Sequence, residues 1–300
     1  MALLVDSPRW PAHGTVYGHL VSDHSLWELH AGAARAGLST RAFDHDHYDL
    51  AAERFDDALA AGAVRVDERE LVHRLRSGGL RILPADHAPR RGRARAALHR
   101  RFEHLLPAAA LHQVVQDYSG PGRWYHDVRH LVEMLGHLDR LAALEGVVPT
   151  PAEELAVLFH DVVYDGIAGQ DEQLSAERAV STLRQAGHEE DVVAEVERLV
   201  LLTAHHRPDP ADRSGARVSD ADMAILASVP GRYHVSVRDI HLEYAHLAAD
   251  RWRQGRAAVL QGFLSGGEIF VTEHGRRVWE QRARRNVADE LEHLQAGQLL

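Results

Sequence analysis

Two rhythms of apolar and polar residues divide the chain of 300 residues. Up to about residue 83, short apolar runs stand between turn-forming residues. Leu3-Leu4-Val5 ends at Asp6, Pro8 and Pro11 and predicts a strand entering a loop. Arg41-Ala42-Phe43, Ala63-Val64-Arg65-Val66 and Leu80-Arg81-Ile82-Leu83 predict three more. Helical stretches lie between them. Ser25-Leu26-Trp27-Glu28 has capping-box spacing and opens an Ala-rich helix that stops at Gly37. Residues 52–61 are helical up to Gly62, and Asp67 and Glu70 open a helix that ends at Gly78-Gly79. Strands alternating with helices predict a small α/β domain, with a mostly parallel sheet, over residues 1–83.

After residue 95 the strand rhythm disappears. Helical periodicity follows at about 96–117, 123–144, 151–165, 171–186, 189–206, 219–227, 230–247, 250–264 and 275–296, with glycines and prolines between. The expected fold is therefore an N-terminal small α/β domain followed by an all-α domain over 96–300. Residues 84–95 form the linker, where Pro84, Pro89 and Gly92 interrupt structure. Arg90, Arg91, Arg93, Arg95, Arg100 and Arg101 make a basic run there. A solvated segment entering a helix is the favoured reading, because no aromatic residue is interleaved to stack on bases.

Composition narrows the chemistry. There is no cysteine, which excludes disulfides and thiolate metal sites. There is no lysine either, so all 34 basic residues are arginine and lysine Schiff bases and phosphate-loop lysines are excluded. A net charge of −10 argues against nonspecific nucleic-acid binding. No window is long and apolar enough for a membrane span, and no secretory leader is recognisable, so the expectation is a cytoplasmic protein with no membrane partner. The 23 histidines make a single histidine uninformative.

Spacing carries more. Thr150-Pro151-Ala152-Glu153 opens a helix that runs Leu155-Ala156-Val157-Leu158-Phe159-His160-Asp161-Val162-Val163-Tyr164 and is apolar all round, the mark of a buried central helix. His160 and Asp161 must then be paired with each other or bound to a metal. His126 and His130 are four residues apart and, on one helix, would point in directions only ~40° apart. The stripe Val192, Val196, Leu199, Thr203 reaches His206, with His205 beside it. Asp220 and Asp222 open another apolar helix, where Asp220 alone would read as a cap. In the N-terminal segment, Asp44-His45-Asp46-His47-Tyr48-Asp49 alternates carboxylate and imidazole. A solvated loop is the favoured reading there and a divalent ion the alternative. Asp6, His19, Asp23 and His30 are further polar candidates that sequence alone does not bring together.

Histidine, His-Asp and Asp on successive helices resemble the HD superfamily of metal-dependent phosphohydrolases. Tyr125-His126-Asp127-Val128-Arg129-His130 is similar to its Tyr-His-Asn-x-x-His element, with Asp127 where Asn is more usual. Phe159–Asp165, Asp171–Ala176, Thr203-Ala204-His205-His206 and Asp220–Leu226 resemble one bacterial branch of predicted phosphohydrolases, as do Tyr244, Arg256 and Ile269-Phe270, over roughly 96–295. Asp171-Glu172 stands where Asn-Glu is common. The N-terminal segment resembles a small bacterial family of unknown function through Val5–Pro11, His19–Asp23, Glu28-Leu29-His30 and Asp46–Asp49.

The HD resemblance implies His130, His160, Asp161 and Asp222 as metal ligands, with Asp220 held open. The implied cofactor is one or two divalent ions, Mn, Fe, Co, Ni or Zn, with Mg also possible. It implies His126 as general acid, Glu172 and Asp165 as residues orienting water or a ligand, and His205, His206 and Arg123 as contacts to phosphate or a second ion. Arg129 is a further phosphate candidate or a surface residue. The expected partner is a small phosphorylated substrate such as a nucleotide. A non-catalytic module that binds a nucleotide or metal is the alternative, and a nucleic-acid-processing protein is disfavoured by the acidic charge.

Overall fold

Apolar alternation in the first eighty residues builds a sheet, and the computed structural model, which describes residues 2–167 and 169–297, gives its order. The strands are β1 (Leu3–Val5), β2 (Trp10–Ala12), β3 (Thr15–Ser22), β4 (Phe43–Asp44), β5 (His47–Ala51) and β6 (Val64–Arg65). They run β4-β5-β3-β1-β6, with β2 paired to β3. Only β6 lies parallel, against β1; every other pairing is antiparallel. The expected mostly parallel sheet is therefore corrected. The strands that reverse it are β2, β3 and β5, which do not follow from the short apolar runs. At the β2–β3 turn His13 and Gly14 both have positive φ, 48° and 81°, the backbone a two-residue hairpin requires. Leu80–Leu83, expected as a strand, is extended but pairs with none of these strands.

Helices α1 (Leu26–Arg35), α2 (Phe55–Ala60) and α3 (Glu68–Ser77) belong to this unit. Leu3, Leu4, Val5, Leu20, Leu29, Tyr48, Leu50 and Leu75 form its buried core. Grouping by contacts gives a first unit of Met1–His87, Ser228–Arg238 and Asp289–Leu300, and a second of Ala88–Ala227 and Asp239–Ala288. The expected boundaries, 1–83 and 96–300, thus differ from the observed grouping in two segments that rejoin the first unit late in the chain.

The second unit is helical: α4 (Arg91–Phe102), α5 (Ala108–Asp117), α6 (Val128–Leu144), α7 (Pro151–Phe159), α8 (Gln170–Ala186), α9 (Glu190–Leu202), α10 (Arg213–Met223), the end of α11 (Pro230–Glu243), α12 (Ala249–Ser265) and most of α13 (Glu280–Gln295). The expected linker contains the first turns of α4. Within it Arg91 pairs with Asp127, and further along α4 Arg101 pairs with Asp139 and Glu154. Pro107 separates α4 from α5, which were expected as one helix. Within this unit α7 is central, packed by α6, α8, α9 and α10, and Leu155 to Phe159 are completely buried.

Candidate metal centre

Four chain segments of the helical unit deliver imidazoles and carboxylates to one place. The Thr150 hydroxyl accepts from Glu153 N, and the Glu153 carboxylate accepts from Thr150 N at 2.7 Å, closing the expected capping box. The helix ends at Phe159, with His160 as its C-cap, so His160-Asp161 sits where the chain leaves α7 and not inside a longer helix. That turn is held from three sides. The buried Tyr118 hydroxyl accepts from Asp161 N, and Arg123 donates to the Asp161 and Val162 carbonyls at 2.7 and 3.0 Å.

Asp127 caps α6, accepting from Arg129 N at 2.7 Å. His130 therefore lies in the first turn, while His126 precedes the cap and is not on the helix, contrary to the expected 123–144 span. α9 ends at Leu202, and His206 follows in a turn with φ of 52°, a backbone state that histidine adopts more readily than most residues. Asp222 occupies the last turn of α10.

These segments place His130 Nε2 3.1 Å from His160 Nε2 and 3.0 Å from Asp222 Oδ1. His160 Nε2 lies 3.2 Å from Asp161 Oδ2 and 3.6 Å from Asp222 Oδ1. His206 Nε2 lies 3.6 Å from Asp222 Oδ2. One donor atom each from His130, His160 and Asp222 fall within 4.8 Å of one another. His160 Nδ1 is 2.9 Å from the Val157 carbonyl, to which it can only donate. Its Nε2 therefore presents a lone pair toward two carboxylates, unless a cation lies between them. A proton satisfies that demand: burial alone would lower the His160 pKa, but Asp161 and Asp222 raise it to about 9. A divalent ion satisfies it too. Three imidazoles, two carboxylates and a backbone carbonyl that fixes a ring tautomer are a donor set that suits a transition metal. Burial works against ionising Asp161 and Asp222, yet the facing histidines hold both carboxyls well below the usual range.

His126 is organised by a residue that the sequence does not announce. Glu243, at the end of α11, accepts from Trp124, Tyr125 and His126 N with one oxygen, each at 2.8 Å, and pairs with His126 Nδ1 at 2.7 Å through the other. Proton exchange by His126 is thereby left to Nε2. Burial lowers its pKa, but Glu243, together with the carboxylates of Asp161 and Asp222, outweighs that and raises it. The only cue in the chain is an acid in the last helical turn, where the helix dipole disfavours a carboxylate.

The remaining candidates are placed elsewhere. Asp220 accepts from Val271 N and Thr272 N at 2.8 Å and from the Thr272 hydroxyl, so its carboxylate is committed to the entry of the helical segment that begins at Glu273 and not to the cluster. His205 is exposed and accepts from Arg207 N. Glu172 caps α8 at Gly169 N. Asp165 is exposed in a cleft of about 520 Å³ that none of His130, His160, Asp161 or Asp222 lines. Its neighbour Asp171 is the buried acid: Oδ2 accepts from Asp165, Gly166 and Ile167 N, and Oδ1 has no partner among the described residues. Arg123 donates to the His126, Asp161 and Val162 carbonyls and Arg129 to Asp127, so both guanidinium groups already serve the protein's own backbone and side chains.

Residues 3–78 match the model of a family described as a protein of unknown function (DUF4031). No curated protein and no solved structure matches the chain. Among the described residues, no helix is long and apolar enough to cross a membrane.

Proposed function

We propose that the helical unit is an HD-type metal-dependent phosphohydrolase acting on a small phosphorylated substrate, with a nucleotide as the leading class. The carrying observation is the convergence of His130, His160 and Asp222 within 4.8 Å, with Asp161 beside them and the His160 tautomer fixed for ligation. The resemblance of His130, His160-Asp161 and Asp222 to the HD pattern supports the same assignment. His206, which lies against Asp222, completes the set as a ligand or a phosphate contact.

A divalent ion bound there would supply Lewis acidity toward a phosphoryl oxygen and acidify water at neutral pH. The chain's own residues do the rest. His126, held by Glu243, whose carboxylate favours the protonated ring, donates from Nε2 to the departing oxygen. Tyr118 and Arg123 fix the backbone that carries Asp161, so its carboxylate is oriented before substrate arrives.

The test uses chelator-stripped protein reloaded with single metals and screened against nucleotides and a generic phosphoester. Metal-dependent hydrolysis is expected. If no metal restores hydrolysis while nucleotides raise the melting temperature, the site is a binding module and the enzyme assignment falls.

A further inference from the structure

β3 and β5 gather polar residues of the N-terminal unit on one sheet face. Their register sets His19 opposite Asp49, and His47 lies two residues before Asp49. Side chains alternate across a strand, so these three share a face, while Leu20, Tyr48 and Leu50 turn into the core. One ring nitrogen of each histidine and a carboxylate oxygen of Asp49 all lie within 4.8 Å of one another. The two rings meet edge to face at 5.1 Å, and His47 Nε2 is 3.6 Å from Asp49 Oδ1.

Behind each histidine stands a buried carboxylate. Asp6 Oδ2 is 3.0 Å from His19 Nδ1, and Asp46 Oδ1 is 2.8 Å from His47 Nδ1. Both aspartates are 2% exposed. Asp6 is fixed by His19 N, and Asp46 by Ile82 N and Arg81. Gly18 makes room for this: a Cβ there would fall 2.7 Å from the Asp6 carbonyl and 2.8 Å from its Oδ1. With Nδ1 donating to a carboxylate, each neutral ring keeps its lone pair on Nε2. A carboxylate behind an imidazole is the arrangement that orients histidine ligands at metal sites. Two simple imidazolium–carboxylate pairs would account for either dyad alone. Neither pair by itself calls for the other, or for a third donor, to bring a ligand atom within 4.8 Å of it. Asp6, Asp46 and Asp49 bring three carboxylates to the cluster, with Arg81 donating to Asp46, a set of donors that suits a divalent cation.

We infer that His19, His47 and Asp49 form a binding site for a divalent transition-metal ion, built from the N-terminal unit alone. Two imidazoles and one carboxylate leave coordination positions open to solvent, the pattern of three-ligand zinc and iron(II) sites. Asp6 and Asp46 are positioning residues that hold the rings.

Zinc titration of the stripped full-length chain, by competition with a chromophoric chelator, tests this. The His160→Ala chain removes a ligand of the helical site, so zinc that remains bound reports the N-terminal site. Adding Asp49→Ala, an exposed position, is expected to weaken that residual binding at least 10-fold. Adding Asp6→Asn is expected to weaken it about 10–100-fold, the usual consequence of losing the group behind a ligand. Circular dichroism in chelator controls for folding. Absence of zinc binding in the His160→Ala chain, or binding unchanged by Asp49→Ala in a folded chain, overturns the inference. Failure of the helical assignment would read differently, as His160→Ala leaving the wild-type zinc stoichiometry intact.

Discussion

At the residue scale, ligation and proton transfer divide between neighbours. His160→Ala, Asp161→Ala and Asp222→Ala are each expected to cost bound metal, whereas Asp220→Asn keeps it, because Asp220 serves the backbone of Val271 and Thr272. Metal per chain after dialysis, measured by elemental analysis, decides; full occupancy in the first three moves the site elsewhere. His126→Ala is expected to retain metal and lose about 10²–10⁴-fold in turnover. The sign of the pH dependence follows from Glu243. A proton donor works below its pKa, and Glu243 raises that pKa above the ordinary value of about 6.5. The rate therefore falls as pH rises through that raised value, on the alkaline side of where an unperturbed histidine would lose its proton. Glu243→Gln should move that fall to lower pH; an unmoved alkaline limb assigns the proton to another group. His130, His160, Asp161 and Asp222 stand out in the sequence through the HD resemblance, added to an apolar helix that forces His160-Asp161 to be paired or bound, and the fold brings His130, His160 and Asp222 together. Glu243, Tyr118 and Asp171 do not stand out, since each acts on backbone that is distant in sequence or turned by a loop.

At the element scale, α7 joins a readable start to an unreadable partner. The Thr150–Glu153 capping box is visible in the sequence. The Glu153 carboxylate is also completely buried and accepts from Arg217 Nε at 2.9 Å and Nη2 at 2.5 Å, a pairing across 64 positions that no local pattern contains. The two effects separate by size. Thr150→Ala should cost about 1 kcal/mol as a lost cap. Glu153→Ala should cost more, about 3–5 kcal/mol, because it breaks a buried ion pair and leaves the Arg217 guanidinium only its second carboxylate, Glu145. Urea midpoints measure both, and equal costs would mean that the ion pair adds nothing beyond the cap. The same contrast explains the sheet. β1 and β6 stand out as apolar runs, but β3 contains Gly18 and His19, and β5 alternates His47 and Asp49 with Tyr48 and Leu50, so polar residues mask its period of two.

At the scale of the whole molecule, the question is what the first unit needs in order to fold. The sequence suggests a cut after residue 83, yet residues 228–238 and Asp289 onward group with that unit. Their contribution is specific. Trp27, 4% exposed, stacks on His293 at 4.9 Å and meets the edge of His234 at 4.9 Å. Tyr233 is hydrogen-bonded to Glu290. Gly231 lies so close to the strand-like stretch after α3 that a Cβ there would be 2.5 Å from the Leu80 carbonyl. A domain of about 85 residues has roughly 4–13 kcal/mol of stability, and losing the late segments uncovers several buried side chains, Trp27 and Ile82 among them, at about 1.5–3 kcal/mol each. A fragment ending at residue 83 should therefore lack a cooperative urea transition and expose Trp27 to fluorescence quenchers. In the full chain Trp27 should be shielded, with Trp27→Phe identifying its signal. A fragment that unfolds sharply and shields Trp27 would show that the N-terminal strands and helices suffice, and that the late segments are accessory.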